Sequence, residues 1–159
     1  MKASLKVIAC MAALAVLMVV QSASAQGKLE GVWKVTKVTY TGPNAQQIIN
    51  PQPGFMIITK KYLTRVGLWG DKPQPELPQN ATDAQRLATW TPLFAALGTY
   101  EIKGTTLTLH HIVRKNGVKP DFFATDDFKI DGNTLTMTGK ATQDGPVTNP
   151  TTMKFVRVE

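Results

Sequence analysis

The sequence predicts an all-β domain, an eight-stranded antiparallel up-and-down barrel with one short helix. Three observations predict it. Residues 29–40, LEGVWKVTKVTY, alternate as a half-buried strand should. Two later hairpins, read from their turn residues, put their apolar side chains on matching faces. The alternating stretches number eight, which is enough to close a sheet on itself and leave no edge.

The barrel is expected to follow a leader. Lys2 and Lys6 precede an apolar run over residues 7–20 that is short for a bilayer span, and Ala23-Ser24-Ala25 is a small-residue cleavage site. Residues 1–25 therefore read as a signal peptide and residues 26–159 as the barrel, in a periplasmic or secreted protein. Cleavage lowers the net charge from +7 to about +5 and removes Cys10, the sole cysteine, so no disulfide is expected. Roughly 130 residues suffice for a core without covalent staples. Lys60-Lys61 and Arg114-Lys115 are the only adjacent basic pairs after the leader. No basic stripe is interleaved with aromatics, so nucleic acid is not an expected partner. No second apolar run is long enough for stable membrane insertion.

The first strand, residues 29–40, places Trp33, Val35 and Lys37 on one face and Val32, Lys34, Thr36 and Val38 on the other, with Trp33 and Val35 expected to point to the core. Residues 43–54 carry three prolines and read as a long connection able to cover a barrel mouth. Residues 55–59 and 62–69 form a hairpin around Lys60-Lys61, pairing Ile58 with Leu63 and Met56 with Arg65. Arg65 then shares a face with Met56, Ile58, Leu63 and Trp69. Phe55, Ile57, Tyr62, Val66 and Leu68 form the other face, and both are apolar enough to be the inner one.

Prolines 73, 75 and 78 mark a loop. Residues 80–97 read as the helix, capped by Asn80 or Thr82 and interrupted at Pro92, with Leu87, Trp90, Phe94 and Leu97 on its apolar side.

Five strands follow, over residues 99–102, 105–113, 124–130, 134–140 and 152–158, joined by glycine-bearing turns. A two-residue Lys103-Gly104 loop pairs Ile102 with Thr105. It puts Tyr100, Ile102, Leu107, Leu109, His111 and Val113 inside. A Gly132-Asn133 loop pairs Ile130 with Leu135 and Phe128 with Met137, with Asp126 and Gly139 on the same inner face and Thr134, Thr136 and Thr138 outside. The last strand turns Met153, Phe155 and Arg157 inward.

Gly31-x-Trp33 in the first strand, with Arg157 in the last, resembles the lipocalin arrangement, in which a tryptophan plugs one barrel end and an arginine lies across it. The chain is similar more closely to the bacterial and fungal lipocalin-like domain family. The likeness runs through residues 29–40, 53–59, 97–102, 107–111 and 128–135. It implies a barrel and suggests a small-molecule pocket, and it implies no settled activity.

His110 and His111 are adjacent on a strand, so they point to opposite faces and cannot chelate one metal together. No metal site and no cofactor is expected. His111 is either a hydrogen-bonded core histidine or a ligand contact. With Asp126 on the same inner side, it is also a possible acid–base dyad. Three readings follow. The first is a barrel that binds a small, mostly apolar molecule, with Arg65, Tyr100 and His111 as orienting groups and Trp69, Leu109 and Phe128 as wall. The second is a barrel isomerase, cyclase or hydratase using His111 and Asp126. The third is a filled barrel that acts as a structural or interaction protein, with an exposed apolar patch in place of a cavity.

Overall fold

The structure, a computed structural model, describes residues 27–117 and 119–159. The expected leader and its cleavage site lie outside the described residues. The strands are β1 (Gly31–Tyr40), β2 (Gln46–Ile49), β3 (Gly54–Ile58), β4 (Tyr62–Leu68), β5 (Leu93–Lys103), β6 (Thr106–Arg114), β7 (Phe123–Asp131), β8 (Thr134–Thr142), β9 (Gly145–Pro146) and β10 (Thr152–Arg157). One helix, α1 (Asp83–Trp90), lies between β4 and β5. Every pairing is antiparallel, and β10 pairs with both β1 and β8, so β1-β3-β4-β5-β6-β7-β8-β10 closes into an eight-stranded barrel. The short β2 and β9 add to β1 and β8 outside that ring.

Alternation explains the interior. Met56, Ile58, Leu63, Leu107, Leu109, Phe128, Leu135, Met137, Met153 and Phe155 are all buried in one cluster. The β3–β4 hairpin has the expected register, Ile58 opposite Leu63 and Met56 opposite Arg65. The ambiguity between its two faces is resolved in favour of the Arg65 side facing in. The β7–β8 hairpin likewise pairs Ile130 with Leu135 and Phe128 with Met137.

Four expectations are corrected. The helix ends at Trp90, and residues 93–97 belong to β5, so Phe94 and Leu97 are strand residues facing Gly67 and Thr64. Pairing with β4 overrides their local helix propensity. Thr82 caps α1 with Gln85 in a reciprocal capping box, as its hydroxyl suggested. A bulge between Val35 and Lys37 reverses the rest of β1, so Val38 is buried inside although the simple alternation put it outside. The β5–β6 turn is Gly104-Thr105, which sets Ile102 opposite Leu107 and Tyr100 opposite Leu109. The slip is two residues, so the same faces are kept. A second bulge, between Leu97 and Gly98, pairs Gly98 with His111 and Leu97 with Val113, leaving Ile112 as the extra residue. Val113 therefore turns outward while His111 stays inside.

Candidate functional site

The two ends of the barrel are built differently. Tight turns at 59–61, 104–105 and 132–133 gather at one end. The long connections 41–53, 69–92, 115–122 and 143–151 gather at the other. The tight end is sealed. Trp33 is fully buried and its indole Nε1 donates to the Leu29 carbonyl at 2.8 Å. The Arg157 guanidinium lies 4.2 Å from the Trp33 ring centre and donates to the carbonyls of Glu30 and Lys28. Gly31 makes this possible. Its φ of 136° is disfavoured for other residues, and a Cβ there would collide with Arg157 and the Glu159 carbonyl.

Towards the open end the packing changes character. Arg65, on β4, reaches across the barrel and its Nη2 donates to Asp126 Oδ2 on β7 at 3.0 Å, with both side chains under a fifth exposed. Small residues make room for that arm. Ala96 faces Arg65 and Gly139 faces Asp126. Arg65 Nε is buried with no hydrogen-bond partner, and so is His111 Nδ1. These two orphaned buried polar atoms depart from the general rule that such groups are satisfied. Burial, then the Arg114 charge, then the Arg65 charge hold His111 below its ordinary pKa of 6.5, with Asp126 opposing. The imidazole is thereby kept neutral at pH 7.

Above this layer lies an aromatic group. Phe94 sits 4.7 Å from Trp69 between ring centres, and Trp69 sits 6.4 Å from Tyr40, whose hydroxyl pKa is raised by burial. Phe94 packs over the facing glycines Gly54 and Gly67. A Cβ on Gly67 would come within 2.6 Å of the Gly54 backbone and 3.0 Å of the Phe94 ring. Val35, Val38, Arg65, Trp69, Phe94 and Met153 enclose a small recess whose water-accessible volume is about 10 Å³. Space of that size holds about one water molecule.

The sequence-derived site residues therefore divide. Arg65 and Trp69 line the recess, whereas His111 packs against Phe122 and does not line it. Leu109 and Phe128 are core residues. Tyr100 lies towards the sealed end and donates from its hydroxyl to the Thr59 carbonyl at 2.7 Å. The Asp126 carboxylate is engaged by Arg65, and no hydrogen bond joins it to His111 among the described residues. Val38 and Phe122 are not legible as site residues, Val38 because the β1 bulge hides it; Phe94 reads in the sequence as a helix residue that is either core or pocket wall, and the structure puts it on β5 in the recess wall. Phe122 sits 5.2 Å from the His111 ring on a loop that carries no pattern. Among the described residues no three metal-ligating side chains come together, and no helix is long and apolar enough to cross a membrane. No family model, curated protein or solved structure gives a significant match to the chain.

Proposed function

We propose that the protein is a lipocalin-like binding barrel, periplasmic or secreted, that holds a small, mostly apolar molecule at its open end. The observation that carries this reading is the partnerless buried Arg65 Nε in the wall of an aromatic-lined recess; the other partnerless buried atom, His111 Nδ1, belongs to a ring packed against Phe122. Arg65 Nε–H is a donor only, and a neutral imidazole offers one donor and one acceptor nitrogen. A ligand with an acceptor group, such as a carboxylate or carbonyl, satisfies the arginine. Its apolar body would lie against Val38, Trp69 and Phe94. Entry requires the Trp69–Phe94 pair to part, and Trp69, which is 38% exposed, is its member at the rim.

A second reading is favoured by the recess volume of about 10 Å³. On it the barrel is filled and works through its outer surface. An enzyme using His111 with Asp126 has less support, because the carboxylate is already held by Arg65.

Native mass spectrometry of protein isolated without denaturation tests the binding reading. The expected result is a reproducible extra mass, lost on denaturation and absent from Arg65→Met and His111→Leu. A clean single-chain mass in the wild type, unchanged when apolar carboxylates are added, would favour the filled barrel.

A further inference from the structure

The recess inside the barrel is small, but a second cavity at the same end is not. A cleft of about 580 Å³, open to solvent, lies between the β6–β7 connection and the end of β8. Small-ligand pockets span roughly 300–1,000 Å³. Arg114, Asn116, Lys119, Phe122, Thr142 and Asp144 line it. The local sequence builds it. Asn116-Gly117 turns the chain after β6, with Gly117 at a φ of 77° and its N–H donating to the Arg114 carbonyl at 3.0 Å. A second turn, from the Phe122 N–H to the Lys119 carbonyl at 3.2 Å, returns Phe122 to β6, where its carbonyl accepts from the His111 N–H at 3.0 Å. Lys119 Nζ donates to the two Asp144 carboxylate oxygens at 3.0 and 3.3 Å, which ties the connection to the turn after β8.

The charges in this cleft do not cancel. Asp144 is held by Lys119, and Arg114 is left over. Three arginines stand on the barrel strands. Arg65 and Arg157 donate to carboxylate and carbonyl oxygens, whereas the Arg114 guanidinium donates to no group among the described residues. It lies instead 4.8 Å from the centre of the Phe122 ring. That ring is buried and packs 5.2 Å from His111, so the platform under the guanidinium is fixed. An arginine laid on a fixed ring holds its planar fork in one orientation with its N–H groups unspent, which suits a carboxylate or phosphate oxygen pair. Asn116 adds an amide. The Thr142 hydroxyl accepts from the Asp144 N–H at 3.2 Å and keeps its own O–H to donate.

We infer that this cleft is a second binding site, for a small polar oxyanion such as a carboxylate or phosphate group, with Arg114 as its anchor. An apolar occupant fits poorly, because Phe122 is the one large apolar side chain of the lining among the described residues and it is already buried. A cationic occupant fits poorly, because the one carboxylate is engaged. The cleft shares no lining residue with the recess, so the inference stands whichever reading of the barrel interior holds. Binding here would also be felt at His111. Arg114 is one of the charges that lower the His111 pKa, so an anion on Arg114 would raise that titration, with Arg65 and Asp126, the other charges facing His111, unchanged.

Amide ¹H–¹⁵N spectra of the whole chain test it, titrated with sulfate and with succinate at an ionic strength held constant with chloride. The expected result is saturable movement of the Gly117 and Thr142 amides. Tighter binding of sulfate would mark a phosphate-type ligand, and tighter binding of succinate a carboxylate. Arg114→Gln should weaken binding about tenfold or more. Asn116→Asp puts a carboxylate in the cleft and leaves Arg114 in place, and it should weaken binding too. Asn116 is exposed, so this variant keeps the test open if loss of Arg114 disturbs the fold. Arg86→Gln, on α1 outside the cleft, should match wild type. Sulfate should raise the His111 ring titration in the wild type and leave it unmoved in Arg114→Gln. Shifts that grow linearly and match those in chloride alone would overturn the inference. So would saturable binding that Arg114→Gln and Asn116→Asp leave unchanged. Inert sulfate and succinate beside a decanoate response confined to Trp69 and Arg65 would overturn this site and leave the barrel reading intact.

Discussion

The sealed end and the open end of the barrel share strands but not chemistry. At the sealed end every demanding group is matched. The Trp33 indole has its carbonyl, Arg157 has two carbonyls and a ring, and the turns are short. At the open end Arg65 meets Asp126, yet its Nε and the His111 Nδ1 are left over, glycines and alanines replace large side chains, and the connections are long. Satisfied, close-packed groups stabilise. Unsatisfied groups beside small residues cost stability, and they are retained where they do something else. The difference assigns stability to the sealed end, and on the proposed reading it leaves the open end for binding.

Truncations rank the two ends. Trp33→Ala removes a fully buried aromatic and should cost about 3–5 kcal/mol in chemical denaturation. A loss under about 1 kcal/mol would show that the sealed end is not the anchor. Asp126→Ala strands the Arg65 charge inside the barrel and should cost about 1.5–3 kcal/mol. The double variant Arg65→Met/Asp126→Ala should recover much of that loss. If it does not, the pair is a structural element and the open end resembles the sealed one more than proposed. Trp69→Ala removes a partly exposed stacking partner of Phe94 and should cost only about 1 kcal/mol.

The smallest effect is on pH dependence. Folding holds the His111 pKa below 6.5, so the unfolded chain takes up this proton first as pH falls. The neutral imidazole's contribution is complete above pH 6.5 and is lost as pH drops through the lowered folded value. His111→Leu should make the acid side of the stability profile less steep, as measured by urea denaturation at stepped pH. An unchanged profile would place the titration elsewhere.

Much of the barrel was legible because strand pairing leaves local marks. Lys60-Lys61 and Gly132-Asn133 defined registers that the hairpins adopt, and Trp33 with Arg157 marked the sealed end. Bulges leave no such mark. Nothing in Val35-Thr36-Lys37-Val38 announces that Thr36 breaks the alternation, so Val38 was placed outside. The start of β5 reads as helix because Phe94, Ala95, Ala96 and Leu97 are good helix formers, and only β4, distant in sequence, makes them a strand. The Arg65–Asp126 pair was illegible for a similar reason. The sequence puts Asp126 on an inner face and leaves the face of Arg65 open, and which partner Asp126 takes depends on barrel geometry across 61 positions.

The division between the two ends is tested most directly by a two-dimensional ¹H–¹⁵N nuclear magnetic resonance titration with decanoate, which follows the indole and guanidinium N–H signals. Trp33, Trp69 and Arg65 Nε–H report on the sealed end, the rim and the polar layer respectively. The account predicts saturable shifts at Trp69 and Arg65 Nε–H, an unmoved Trp33, and loss of the effect in Arg65→Met. Saturation without any movement of Trp69 and Arg65, or no saturable shift with any apolar carboxylate of similar size, would contradict it.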